Sequence, residues 1–111
     1  MVDKFYSDAI LYITIKERHM ENKTYIFHTD PGHGWLAVPF KDLYALGIED
    51  KISGYSYVKG KTAYLEEDCD AAVFINAYKA KFGKMFAFRE SYQEHTQIRY
   101  FASYEPTKLA A

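Results

Sequence analysis

At 111 residues the chain has the length of one domain, enough to bury roughly two-thirds of the surface its unfolded form would expose. A net charge of −1 sets up no global field toward nucleic acid or membrane, and a single cysteine excludes an internal disulfide. Apolar and charged shares of 49% and 26% exclude a disordered chain, and no apolar run approaches the ~18 residues of a membrane span.

From the N-terminus, Met1-Val2-Asp3-Lys4-Phe5 lacks the basic-then-apolar layout of a signal peptide, so cytoplasmic residence is expected. Residues 1–8 are expected to fray. Ile10-Leu11-Tyr12-Ile13-Thr14-Ile15-Lys16 is β-branched and aromatic and reads as a strand, with Lys23–Thr29 as its partner. Asp30-Pro31-Gly32 supplies a turn, and Trp35–Val38 continues an antiparallel meander. Phe40–Leu46 then forms a short helix, with Gly47 at the left-handed C′ position and Ile48 placed to touch Leu43.

Tyr55–Val58 and Thr62–Leu65 read as a hairpin around Lys59-Gly60-Lys61. The strongest helical pattern covers 69–82: Val73, Phe74, Ala77, Tyr78 and Phe82 line one face, Asp68 is placed to cap it, and Gly83 closes it. Lys84–Arg89 and Thr96–Phe101 read as two more strands, and 105–111 as a frayed end. The expected fold is a single α+β domain over 1–111: a mostly antiparallel sheet with one short and one long helix packed on one face.

Two segments invite a functional reading. His28-Thr29-Asp30-Pro31-Gly32-His33-Gly34-Trp35 gathers two imidazoles, a carboxylate and the sole tryptophan around a turn. Tyr64-Leu65-Glu66-Glu67-Asp68-Cys69-Asp70 places four carboxylates in five residues at a strand-to-helix junction. Eleven tyrosines among 18% aromatic residues exceed what one small core needs, and surplus tyrosine suits a contact surface. The expected site is therefore a protein-docking surface: His33, Trp35, Tyr55 and Tyr57 as anchors, with Glu66, Glu67 and Asp68 as an acidic rim. It requires no cofactor. The competing reading is a metal-dependent enzyme using His28, Asp30 and His33, although their spacing matches no zinc motif. Cys69 sits where helix dipole and neighbouring carboxylates oppose each other, so an ordinary thiol is expected. Tyr55, Tyr57 and Tyr64 are arranged like the base-stacking rings of RNA-binding sheets, but only Lys59 and Lys61 supply a basic groove, which disfavours nucleic acid. An edge-to-edge homodimer is a third expectation, since so small a sheet leaves edges to cover.

The run His28–Pro39, together with Leu46-Gly47-Ile48, Ile52–Tyr57 and Tyr64–Asp70, resembles an uncharacterised family of small proteins carried by bacteriophages and plasmids, over about residues 25–80. The resemblance implies an accessory protein of a mobile element, one that binds a host or rival protein, for instance to inhibit a defence system. It carries no activity, cofactor or catalytic residue.

Overall fold

The computed structural model describes residues 19–106. The strand expected at 10–16, the frayed start at 1–8 and all but Glu105 and Pro106 of the frayed end lie outside the described residues. In chain order the elements are β1 (Thr24–Thr29), β2 (Gly34–Pro39), α1 (Phe40–Ala45), a 3₁₀ turn (Glu49–Lys51), β3 (Tyr57–Lys59) and β4 (Thr62–Glu66). Then follow α2 (Asp70–Phe82), β5 (Ala87–Tyr92), a second 3₁₀ turn (Ile98–Tyr100) and β6 (Ala102–Ser103). The strands form one six-stranded sheet in the order β5-β1-β2-β4-β3-β6, giving the expected α+β class. No helix among the described residues is long and apolar enough to cross a membrane.

Local chemistry accounts for most of the boundaries. Between β1 and β2, Asp30 Oδ1 accepts the N–H groups of Gly32 and His33 at 3.0 and 2.9 Å, the side-chain-closed turn that aspartate favours. α1 ends in a Schellman arrangement: Gly47 takes φ +67°, its N–H donates to the Tyr44 carbonyl, and the Ile48 N–H donates to Leu43. α2 is stopped by Gly83 at φ +72°, whose N–H reaches the Lys79 carbonyl at 2.8 Å.

The start of α2 departs from expectation. Asp68 does not cap it; the N-cap position belongs to Cys69, whose side chain makes no capping bond. Instead, the Glu66 carboxylate at the end of β4 accepts the N–H groups of Asp68, Cys69 and Asp70 at 2.8, 2.6 and 2.9 Å. One strand-end carboxylate thus satisfies donors that a helix N-terminus leaves orphaned.

Strand alternation separates two faces of the sheet. Tyr25 of β1, Leu36 and Val38 of β2, and Ala63 and Leu65 of β4 meet Ala71, Phe74 and Tyr78 of α2 in one buried cluster, completed by Met20, Phe86 and Tyr104. Tyr25 is the hub, its ring 5.2 Å from Phe74 and 5.0 Å from Phe86. Its hydroxyl donates to the buried Asp42 carboxylate at 2.8 Å. Burial, that bond and the Asp42 charge together raise the Tyr25 pKa far above its ordinary value. Tyr78 likewise donates to the Met20 carbonyl at 3.1 Å. Tyr78→Phe should cost about 1 kcal/mol in chemical denaturation, because the buried Met20 carbonyl loses its shorter bond and keeps only the Lys23 N–H at 3.4 Å, while the ring packing survives.

The C-terminal third corrects the sequence reading. The strand expected at 84–89 is shifted to Ala87–Tyr92, and it pairs parallel to β1 rather than extending the antiparallel meander. The strand expected at 96–101 does not form: Ile98–Tyr100 is a 3₁₀ turn, and only Ala102–Ser103 joins the sheet, against β3. The order of strands explains why. β5 and β6 occupy opposite edges, so residues 93–101 must cross the whole sheet. They do so over the face remote from α2, with Arg99 over the Trp35 ring and Phe101 against Tyr64. Trp35, 2% exposed, is buried beneath this strap, and Ile98 of the strap itself is 5% exposed, both apart from the main core.

Candidate functional site

β2, β4 and β3 are neighbours in the sheet, and each presents an i, i+2 pair at the same end. One member of each pair (Trp35, Glu66 and Tyr57) lies in its strand, and the other lies in the adjoining turn. His33 and Trp35 come from β2 and its approach, Glu66 and Asp68 from the end of β4, and Tyr55 and Tyr57 from the approach to β3. Trp35 stands opposite Glu66 in the ladder, fixing the register of two of these pairs. All six residues line one cleft of about 390 Å³, together with Cys69 and Arg99. Because β4 lies between the other two strands, its carboxylates are set between a Trp/His wall and a Tyr/Tyr wall.

The walls differ in their freedom. Trp35 is held by three neighbours: His33 stacks on it (5.8 Å, 14° between planes), Tyr57 meets it edge-on at 6.5 Å, and the Arg99 guanidinium lies 5.7 Å from its ring centre. Tyr55, in contrast, is 81% exposed. Arg99 is held from behind by Asp30, whose Oδ1 receives Nη2 at 2.7 Å and whose Oδ2 receives Nε at 3.0 Å. Thr96 adds a bond to Asp30 Oδ2 at 3.2 Å. The Arg99 bonds, reinforced by the Gly32 and His33 N–H groups and opposed by burial, hold the Asp30 carboxyl well below the usual carboxylate range. For Glu66, partial burial pushes the carboxyl up, but the N–H groups of Asp70, Asp68 and Cys69 outweigh it and leave the pKa lowered. Both carboxylates are therefore charged at neutral pH.

Of the seven residues expected to dock a partner, the structure brings His33, Trp35, Tyr55, Tyr57, Glu66 and Asp68 together. Glu67 goes elsewhere. Its N–H continues the ladder to the Gly34 carbonyl, so alternation turns its side chain toward the opposite face. There its carboxylate and the Phe27 ring crowd Gly34, where an added Cβ would stand 2.9 Å from Glu67 Oε2 and 2.6 Å from Phe27. Trp35 is buried rather than displayed, so it backs the cleft and Tyr55 is the projecting ring.

The metal set does not assemble. Among the described residues no three His, Cys, Asp or Glu side chains are placed to hold an ion. Asp30 is spent on the turn and on Arg99, while His28 lies 5.8 Å from Tyr64 with its pKa lowered by burial and by Arg89. Sequence reasoning missed Arg99, because the strap that delivers it was read as a strand. The available signal was charge: Asp30, in a turn, requires a cationic partner once it is buried.

Fold and cleft together define a small α+β domain with a strand-end cleft, open to solvent and mixed aromatic and acidic in character. No protein-family model matches the chain, and comparison with curated proteins and with solved structures finds no match.

Proposed function

We propose that this chain is a non-enzymatic binding module that docks a protein partner at the cleft between β2, β4 and β3. The observation that carries this reading is the convergence of three strand-end pairs on one open cleft whose projecting ring, Tyr55, is 81% exposed. Tyrosine gives large contact area at low conformational cost, and interface anchors are enriched in Trp, Tyr and Arg. Two of the charged groups here are committed to holding structure: Glu66 to three backbone N–H groups, Arg99 to Asp30. That suits recognition better than proton transfer. The resemblance of residues 25–80 to small bacteriophage and plasmid proteins supplies the context, an accessory protein that acts by inhibiting a host or rival protein.

Affinity capture from bacterial lysate with tagged wild type, Tyr55→Ser and Tyr44→Ser tests the docking surface. Tyr44, 43% exposed on α1, lies outside the cleft and serves as control. Tyr55→Ser should weaken capture about tenfold, or ~1.4 kcal/mol, while Tyr44→Ser leaves it unchanged. A partner retained equally by Tyr55→Ser would overturn the assignment.

A further inference from the structure

Resting on the docking reading above, the geometry points to the chemistry of the occupant: we infer that the cleft takes a cationic side chain, arginine or lysine, from an exposed loop of the partner. The cavity is aromatic as well as acidic. The end of its central strand supplies Glu66, with Asp68 just beyond, and Tyr55 and Tyr57 line the same cavity, so an entering cation meets carboxylates and the exposed Tyr55 ring, whereas Trp35 is already taken by His33 and Arg99. Aromatic faces and carboxylates attract the same sign of charge, so both favour a cation over a neutral or anionic group.

The cleft already contains an example of this recognition. Arg99 lies 5.7 Å from the Trp35 ring centre while pairing bidentately with a carboxylate. Asp30, behind that guanidinium, cancels much but not all of its charge as felt in the cleft. Glu66 is screened in part by the three N–H groups it accepts. The Asp68 carboxylate makes no hydrogen bond among the described residues and is exposed beside Tyr55 and Tyr57. The unsatisfied elements are therefore a carboxylate and a phenol ring.

Size agrees. A cavity of about 390 Å³ lies at the small end of ligand pockets, which run from about 300 to 1,000 Å³, and suits one long side chain better than a strand of peptide. Phosphate-bearing partners are disfavoured by the same carboxylates. A divalent ion has no three-donor set among the described residues.

The test uses the chain's sole tryptophan as reporter, since Trp35 forms one wall. Four peptides, Ac-GGSXSGG-NH2 with X as Arg, Lys, Gln or Glu, are titrated against the full chain by Trp35 fluorescence and by amide shifts at His33, Tyr55 and Asp68. The Arg and Lys peptides should give saturable shifts confined to the cleft, with the Gln and Glu peptides at least about threefold weaker. Asp68→Asn should lower the Arg-peptide affinity about two- to fivefold and reduce its salt dependence. Equal binding of the Gln or Glu peptide, or indifference to Asp68→Asn, would overturn the cation while leaving a cleft that captures its partner through Tyr55. Capture unaffected by Tyr55→Ser would instead overturn the docking surface itself, whatever the peptides do.

Discussion

Asp70→Ala should destabilise the chain by about 3 kcal/mol in urea unfolding, and should loosen the cleft as well as the fold. Asp70 opens α2 but is only 3% exposed, and its Oδ2 accepts the Ser53 N–H (3.1 Å), the Ser53 hydroxyl (2.7 Å) and the Ser56 hydroxyl (2.5 Å). Hydrogen bonds to a charged acceptor contribute about 1.5–3 kcal/mol each, but Ser53 is partly exposed and recovers some of its bonding from water. Ser56 has no such recourse: it is fully buried, and its oxygen also accepts the Glu66 N–H at 3.0 Å. The chain Glu66–Ser56–Asp70 thus ties the central carboxylate of the cleft to the segment bearing Tyr55 and Tyr57. Asp70→Asn, which keeps an acceptor oxygen, should cost less than Asp70→Ala. A double-mutant cycle with Ser56→Ala should show coupling of at least about 1 kcal/mol between the two positions. A loss below about 1 kcal/mol for Asp70→Ala, or additive effects in the cycle, would show that the network does not brace the cleft.

How much of this was legible in the sequence follows from the range of the interactions involved. The two helices, their glycine endings and the β3–β4 hairpin are set by residues within a few positions of one another, and their chemistry can be read locally. Of the cleft's pairs, Tyr55 with Tyr57 was legible for the same reason. Its convergence with His33, Trp35, Glu66 and Asp68 was not, because that depends on β4 lying between β2 and β3. The acidic run shows the limit most clearly. Four carboxylates adjacent in sequence divide into four environments: Glu66 bonded to the α2 N-terminus, Glu67 across the sheet beside Phe27, Asp68 free in the cleft, and Asp70 buried on two serines. Alternation alone predicts that Glu67 faces away from Glu66, once the strand is known to run through both. The C-terminal error had a different origin. Thr96–Phe101 alternates like a strand, but β1 already has β5 on its outer side, and the segment gains more by burying Ile98 and delivering Arg99 to Asp30. Tertiary placement overrode the local pattern there.

Asp30→Asn should release the strap while sparing the turn, and it should remove a specific part of the acid sensitivity of the fold. Asp30 Oδ1 serves the Gly32 and His33 N–H groups, a task an asparagine carbonyl can perform. Oδ2 faces Arg99 Nε and Thr96 Oγ1, where an amide NH2 would set donor against donor. In the native chain the Asp30 carboxyl lies well below its ordinary value, chiefly through Arg99. Its contribution to stability is therefore complete above about pH 5 and is lost as pH falls below the ordinary aspartate value of about 3.9 toward the lower folded one. The variant lacks that dependence, so its stability should fall less steeply between about pH 5 and pH 2 while starting lower at neutral pH. Because Arg99 would no longer be held over the indole, Trp35 emission should shift to the red, and acrylamide should quench it more strongly. Arg99→Met should reproduce the fluorescence change with Asp30 intact, separating strap release from any disturbance of the turn. Identical acid slopes for wild type and Asp30→Asn, or unaltered quenching in both variants, would mean that the ion pair does not fasten the strap and that packing of residues such as Ile98 and Phe101 holds it without that pair.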